Sequence, residues 1–369
     1  MYKSFLRKVL NLFDVCLPKK SRVCFFITAR TSWDPNQQIL YTKYKDKFEV
    51  IVVDGNHVSS SKPLRSLKCF YNIYRSKVVI FDHSLPMGLI KGNHYCINVW
   101  HGSPIKNIRC LLKERFSKDF LDYQSNVTDL ILSNSDFDSV QMQKCFNVSD
   151  DKLLASGLPR NIYTTCNETE LKKIDLYDDD TQIRDIIQGF EKTLLWAPTY
   201  RGDSHQFNDP LNLTREEISY LHQYLISQNI LLLVRYHKFS SCSNDSFFKH
   251  PHIVDVSSIK NQNILLRYTD SLITDYSSIW VDYLLKRKPI VFYCPDLDDY
   301  KENHGFINDF EISIPSKVHK SFIETLSYLS SYTELNDSKQ YNKLYNRYHF
   351  DNDANLAVAE IEHRIMTNY

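Results

Sequence analysis

Ile273-Thr274-Asp275-Tyr276-Ser277-Ser278-Ile279 runs directly into Trp280-Val281-Asp282-Tyr283-Leu284-Leu285, and the join between these stretches decides how the chain is read. An apolar run that ends in small hydroxyl residues opening a helix is a strand-to-helix turn at the carboxyl edge of a sheet. Such a turn presents unpaired backbone N–H groups, the positive end of a helix dipole and serine hydroxyls, which together suit a phosphate or diphosphate. Ser and Asp are also favoured as plain helix caps. The heptad alone leaves both readings open, and the rest of the chain separates them.

Short runs rich in Val, Ile and aromatic residues recur in two series. Val23–Thr28, Phe48–Asp54, Val78–His83, Tyr95–Trp100 and Leu130–Ser133 form the first. Thr193–Ala197, Ile230–Tyr236, Ile253–Val256, Ser271–Thr274 and Ile290–Tyr293 form the second. Most are spaced widely enough for an intervening helix, most clearly at Arg215–Ser227 and Ser278–Lys288, so the pattern predicts parallel βαβ units. A length of 369 residues exceeds what one core usually fills. The expected fold class is therefore α/β, with two Rossmann-like doubly wound domains facing each other across a cleft. The expected divisions are a basic amphipathic helix over 1–22, an α/β domain over 23–165, a polar linker with a helix over 166–190, a second α/β domain over 191–335 and a C-terminal helix over 336–369. The triplet Asp178-Asp179-Asp180 in the linker reads as a solvated helix start, not a metal site.

Composition narrows the function classes. A formal net charge of +1 excludes a general nucleic-acid binder, whose affinity rests on a large basic surface. The nine cysteines are odd in number, scattered and without a C-x-x-C pair, which points to reduced thiols in the cytoplasm and away from a structural zinc. No stretch approaches the roughly 18 apolar residues that span a bilayer. The N-terminus sets Phe5, Leu6, Val9, Leu10 and Phe13 at helical spacing among Lys3, Arg7, Lys8, Lys19 and Lys20, with no small-residue cleavage site. It reads either as an interfacial helix on an anionic membrane or as a helix packed on its own domain.

Doubly wound sheets bind ligands at the carboxyl ends of their strands, and the remaining motifs sit there. Trp100-His101-Gly102-Ser103-Pro104-Ile105-Lys106 follows a predicted strand. Its His is suited to proton transfer near neutral pH, and its Gly admits a ligand close to the backbone. Ala197-Pro198-Thr199-Tyr200-Arg201-Gly202 follows another strand, and Arg235-Tyr236-His237 ends a third with Arg235 and His237 on one face, a cationic pair suited to a diphosphate. A structural His, for the first of these motifs, and surface Arg–His contacts, for the last, are the alternative readings.

Taken together, the chain resembles the CDP-glycerol glycerophosphotransferase family, the teichoic-acid polymerases and primases that use a two-domain fold of the GT-B kind. The resemblance spans roughly Tyr95 to Phe310. It rests on Trp-His-Gly-Ser-Pro at 100–104, Ser-Gly-Leu-Pro-Arg-Asn at 156–161, Ala-Pro-Thr-Tyr-Arg at 197–201, Arg-Tyr-His at 235–237, Thr-Asp-Tyr-Ser-Ser at 274–278 with Asp282, and Phe-Tyr-Cys-Pro-Asp-Leu-Asp-Asp-Tyr at 292–300. The family usually has Thr at position 103, Trp at 200 and an acidic residue at 162. Ser103 keeps the hydroxyl and Tyr200 the aromatic ring, whereas Ile162 removes a carboxylate.

The resemblance implies a catalytic role for His101, as the base that deprotonates an acceptor hydroxyl attacking the β-phosphorus of CDP-glycerol, and for His237. It implies donor contacts from Gly102, Ser103, Pro104, Ile105, Arg160, Pro198, Thr199, Arg235, Tyr236, Ser277, Ser278 and Asp282. No metal or cofactor is required by the motifs. The implied partners are a nucleotide-activated polyol donor, CDP-glycerol or CDP-ribitol, a lipid-linked or polysaccharide acceptor of the cell envelope or capsule, and an anionic membrane surface, with no nucleic acid. The implied location is cytoplasmic, peripheral to the inner face of the cell membrane. The competing readings are a GT-B glycosyltransferase using a nucleotide sugar and a non-catalytic membrane-docking protein.

Overall fold

Among the described residues the alternating pattern folds as two six-stranded sheets whose strands pair in parallel. A computed structural model describes residues 2–28, 33–58, 63–112, 115–174, 177–199, 201, 213–236, 247–331, 339–349 and 353–369. The chain divides into two units. One comprises Met1–Ser103, Ile108–Ile162 and Asp351–Tyr369, and the other Pro104–Asn107 and Tyr163–Phe350.

The first unit holds β1 (Lys20–Ile27), β2 (Val50–Asp54), β3 (Ser76–Phe81), β4 (Tyr95–Asn98), β5 (Leu130–Ser133) and β6 (Leu153–Ala155), in the order β2-β1-β3-β4-β5-β6. The second holds β7 (Lys192–Ala197), β8 (Ile230–Val234), β9 (Ile253–Asp255), β10 (Ser271–Thr274), β11 (Ile290–Tyr293) and β12 (Val318–His319), in the order β12-β11-β10-β7-β8-β9. The strands β5, β8 and β11 are buried along their whole length, because crossover helices cover both faces of a parallel sheet. This is why they read as continuous apolar runs without alternation. The strand order reverses between β1 and β3 in one sheet and between β7 and β10 in the other. At each reversal the crossovers leave in opposite directions and open a crevice at the carboxyl edge.

The structure departs from the sequence reading in a few elements. The strands β6 and β12 fall outside the predicted series; they have three and two residues, only partly buried, too short for a pattern to show. The helix expected over Ser278–Lys288 is a short α-helix, Ile279–Tyr283, tightening into a 3₁₀ turn at Leu284–Lys286. The stretch expected as one C-terminal helix runs as two, Lys339–His349 in the second unit and Ala354–Asn368 in the first. The acidic triplet lies in the helix Tyr177–Ile187, where two of its members are engaged in place of being solvated. Asp179 accepts from the backbone of Asn261 at 2.9 Å, and Asp180 accepts from the Tyr268 hydroxyl at 2.5 Å.

The N-terminal helix Tyr2–Cys16 is fastened to the first unit by its inner face. Leu10 is buried in the core with Tyr74, Leu85 and Leu89. Gly88, at φ +90, gives it room: a Cβ there would lie 2.4 Å from the Leu10 Cβ. Asp14 is 0% exposed and accepts from His94 Nε2 at 2.6 Å, Lys19 Nζ at 2.7 Å, the Ile90 N–H at 2.9 Å and Asn93 Nδ2 at 3.2 Å. Burial raises the pKa of this carboxyl, but His94 and Lys19 outweigh it and hold the group below the ordinary carboxylate value. Leu12, Phe13 and Val15 remain exposed on the outer face. Among the described residues no helix is long and apolar enough to cross a membrane.

Asp14→Ala leaves several buried donors without an acceptor, so it is expected to lower unfolding stability by about 3–5 kcal/mol at neutral pH. The native Asp14 pKa is depressed, so its contribution is present above its unfolded value and is lost as pH falls through the folded one. Denaturant titrations from pH 7 to pH 3 should show the gap between wild type and variant closing in acid.

Candidate active site

In the first unit the turn after β4 carries the His-Gly-Ser motif. Trp100 adopts φ +44, a conformation that a bulky side chain holds only when its surroundings impose it. Here the surroundings are two amides. Asn98 Oδ1 accepts from the Trp100 N–H at 2.9 Å, and Asn36 Nδ2 donates to the carbonyls of Val99 at 3.2 Å and Trp100 at 3.0 Å. Asn36 is fully buried, and its Oδ1 accepts from the Arg160 N–H at 3.0 Å. One side chain thus fixes both the turn leading into His101 and the turn carrying Arg160.

The exposed ring of His101 lies against Trp100, with centroids 3.9 Å apart, and stacks on His83 at 5.5 Å with 12° between the planes. Its Nδ1 lies 3.3 Å from the Asp82 carbonyl, so Nδ1 carries the proton, and Nε2 keeps a lone pair with no partner among the described residues. Desolvation by the surrounding protein and, next, the charges of His83 and Arg160 push its pKa below the ordinary imidazole value, so the neutral form prevails at pH 7. Asp34, buried and close to Asp82, has its carboxyl pushed up to about 7 by burial first and Asp82 second, with Arg160 opposing. Arg160 is itself buried. Ser103 is buried and accepts from Asn134 Nδ2 at 3.0 Å; Asn134 Oδ1 in turn accepts from Asn161 Nδ2 at 3.1 Å.

The other end of the same motif, Pro104–Asn107, belongs to the second unit. The Ile105 carbonyl accepts from the Ile307 N–H at 3.2 Å, and the Asn107 N–H donates to the Gly305 carbonyl at 3.2 Å. Lys106 Nζ reaches the Tyr300 hydroxyl at 3.3 Å. Burial brings the pKa of this ammonium down to about 8, against the attraction of Asp275.

At the reversal between β7 and β10 stands a buried ionic network. Both oxygens of Asp275 accept from the Thr199 N–H, at 2.9 and 3.0 Å, and Asp275 pairs with Arg201 Nη1 at 2.7 Å. Arg201 grips Asp296 with Nε at 2.6 Å and Nη2 at 3.2 Å, and lies over the ring of Tyr276. Tyr276 donates to Asp296 at 2.9 Å and stacks on Tyr300 at 3.8 Å. Asp275 therefore does not cap the following helix; it shapes the Pro198–Thr199 turn. Ser278, the N-cap of the helix, makes no side-chain capping bond, and Ser277 Oγ accepts from the Ile279 N–H at 3.3 Å. Both serines are partly exposed.

The other expected donor residues fall at different depths. Arg235 lies just beyond β8, half-buried, with Nη1 donating to the Ile259 carbonyl at 2.5 Å. Tyr236 sits in the hydrophobic core and presents its backbone, whose N–H bonds Ser257 Oγ at 2.9 Å. Asp282 is buried and accepts from Asn263 Nδ2 at 3.3 Å. His237, Tyr200 and Gly202 lie outside the described residues. Gly102 and Pro104 are buried and Ile105 partly so. Sequence reading passed over Asn36, His83 and Arg109. Asn36 follows Asp34-Pro35 and looks like part of a helix start, and Arg109 falls in no motif.

Two six-stranded parallel sheets with ligand-type motifs at their reversals define a two-domain α/β protein of the GT-B class. A solved structure of the wall teichoic acid polymerase TagF, soaked with CDPG, matches with a TM-score of 0.80 at 20% identity, covering 98% of this chain and 92% of that one. The chain belongs to the CDP-glycerol:poly(glycerophosphate) glycerophosphotransferase family, whose model matches residues 9–359, and is a phosphotransferase-type enzyme. It is 28% identical over 332 residues to a teichoic acid glycerol-phosphate transferase of Staphylococcus aureus (strain NCTC 8325 / PS 47), covering 82% of this chain and 81% of the relative. It is 29% identical over 340 residues to the teichoic acid ribitol-phosphate polymerase TarK of the same strain, covering 87% of this chain and 64% of the relative.

Replacing Arg201 with Met takes away the guanidinium that pairs with the buried carboxylates of Asp275 and Asp296 and leaves them only amide and hydroxyl donors, at an expected cost of about 3–5 kcal/mol. Chemical denaturation of wild type and variant at neutral pH measures it.

Proposed function

We propose that the enzyme transfers glycerol phosphate from CDP-glycerol to a hydroxyl of a surface-polymer or glycolipid acceptor and releases CMP. The acceptor oxygen attacks the β-phosphorus, its proton passes to His101 Nε2, the new O–P bond forms, and the bond to the CMP oxygen breaks. CMP leaves as the phosphate anion. The observation that carries this reading is the setting of His101, whose Nδ1 lies 3.3 Å from the Asp82 carbonyl and whose Nε2 has no hydrogen-bond partner among the described residues. Phosphoryl transfer otherwise needs alignment and charge stabilisation. Arg235 and His237 supply positive charge for the diphosphate, and Ser277 and Ser278 supply hydroxyls and N–H groups at a helix start. Gly102, Ser103, Pro104 and Ile105 line the donor, and Arg160, Pro198 and Thr199 hold its nucleotide half.

A second donor, CDP-ribitol, is favoured by one observation, the similarity to a ribitol-phosphate polymerase. Parallel CMP-release assays with the two donors decide between them. With either, His101→Ala should lower turnover ~10²-fold or more with little change in donor affinity, because general-base catalysis typically contributes ~10²–10⁴ in rate. Arg235→Ala and Ser278→Ala should instead weaken donor binding measured by calorimetry. Turnover close to wild type in His101→Ala would remove it from the mechanism.

The acceptor side includes a membrane. On the first unit the exposed Leu12, Phe13, Leu64 and Leu67 lie on helices that also expose Lys8, Arg65 and Lys68, beside an apolar cavity of ≈ 230 Å³ lined by Leu10, Phe13, Leu17, Leu67, Phe70, Tyr71 and Tyr74. Apolar side chains flanked by basic ones favour an anionic bilayer surface, and we place the enzyme at the inner face of the cell membrane, acting on a lipid-linked acceptor. Phe13→Asp combined with Leu67→Asp should abolish sedimentation with anionic vesicles while leaving turnover on a soluble acceptor intact.

A further inference from the structure

His83 lies on the loop after β3, one residue beyond the Asp82 whose carbonyl accepts from His101. Its ring and that of His101 are nearly parallel, 12° apart in plane and 5.5 Å apart at the centroids. Trp100 closes the group, 5.6 Å from His83 and 3.9 Å from His101. The end loops of two neighbouring strands therefore meet ring on ring beside the sheet reversal.

The loop carrying His83 is held by Arg109. Its Nη2 donates to the His83 carbonyl, lies 3.2 Å from Ser84 Oγ, and stands 3.5 Å from His83 Nδ1. Ser84 Oγ is 3.0 Å from the same Nδ1. Arg109 is 3% exposed, and its guanidinium lies within about 6 Å of the rings of Trp100, Phe116, Phe120 and Phe146. Among the described residues its buried Nε and Nη1 have no hydrogen-bond acceptor, and the aromatic faces take their place. A guanidinium enclosed in this way is a fixed positive charge beneath the loop.

We infer that His83 is a positioning residue for His101: the parallel stack sets the plane of the proposed base, and the charge on His83 governs how readily His101 takes a proton. The inference rests on the reading of His101 as the base. A flat neutral ring at this distance supports the His101 imidazole without competing for Nε2. A protonated one opposes the imidazolium that forms as the acceptor hydroxyl loses its proton. The other charges facing the pair are Arg109, from the turn Arg109–Leu111, and Arg160, from the turn Pro159–Asn161. The Asp82 carboxylate is engaged by the Thr28 N–H at 3.1 Å, and Asp34 faces Arg160 and Asp82. After desolvation by the protein around the ring, His83 is the largest influence lowering the His101 pKa.

The test is the pH profile of kcat/KM for full-length wild type, His83→Ala, His83→Phe and His101→Ala, using CMP release from CDP-glycerol with a short-chain alkyl oligo(glycerol phosphate) acceptor. His83→Ala should lower kcat about tenfold with donor KM within about twofold, the signature of lost transition-state alignment. His83→Phe keeps the stack and removes the titratable charge, so it should restore most of kcat and move the acidic limb of the profile to higher pH. A purely structural role would leave that limb in place. Wild-type kcat in His83→Ala together with an unmoved acidic limb in His83→Phe overturns the inference while His101→Ala remains inactive. Near-wild-type turnover in His101→Ala overturns both this inference and the reading beneath it. Circular dichroism and melting temperature of each variant separate loss of fold from loss of alignment.

Discussion

Both units depend on the same constraint: a parallel sheet wound in two directions brings its strand-end loops together at one edge. Every backbone group inside the sheet is spent on a neighbour, so polar chemistry gathers where strands end. At the β1/β3 reversal this concentrates Asp82, His83 and, from β4, His101. At the β7/β10 reversal it concentrates Thr199, Arg201, Asp275 and the serines. The crossover helices bury the strands and leave these edges as the places where side chains of both signs approach one another.

The two edges are electrically unlike. In the first unit, crowding and nearby cations keep an imidazole neutral and leave its Nε2 lone pair free. In the second, two carboxylates share one guanidinium, with Tyr276 and Tyr300 packed on it. That arrangement would be costly if any member were missing, because a buried ion without its partner loses hydration and gains nothing. Completed, it fixes the backbone at Thr199 through a carboxylate that has no freedom left. The two edges thus offer different surroundings, one built around an imidazole and the other around a shared guanidinium.

Much of this was legible in the chain. The runs Leu130–Ser133, Ser271–Thr274 and Ile290–Tyr293 appear as strands with the expected bounds, and Arg215–Ser227 as the expected helix, because continuous apolar runs and a Thr-x-x-Glu cap are local signals. The short strands β6 and β12 were not legible, since a few half-buried residues carry no period. The roles inside the Thr274–Ser278 motif were only half legible. Asp275 has the composition of a helix cap, yet it accepts from a residue that follows another strand. Asn36 gave no sign at all, because the carbonyls it serves lie more than sixty positions away in the chain.

By itself the sequence determined the strands, their parallel winding and the family motifs at their ends, because apolar periodicity and turn chemistry act over a few residues. It also determined that any basic function is local, since net charge is a sum over the chain. Only the tertiary structure decided which residues of each motif are committed to the fold and which remain available. Asp275, Arg201 and Tyr236 are engaged in packing and pairing, while Ser278 makes no side-chain cap and His101 Nε2 is left open. It also decided that the N-terminal helix is held by Asp14 and Leu10 while showing Phe13 outward. The reason is the same in each case: hydrogen bonds and desolvation are settled by neighbours in space, and those neighbours are brought together only when the sheets close.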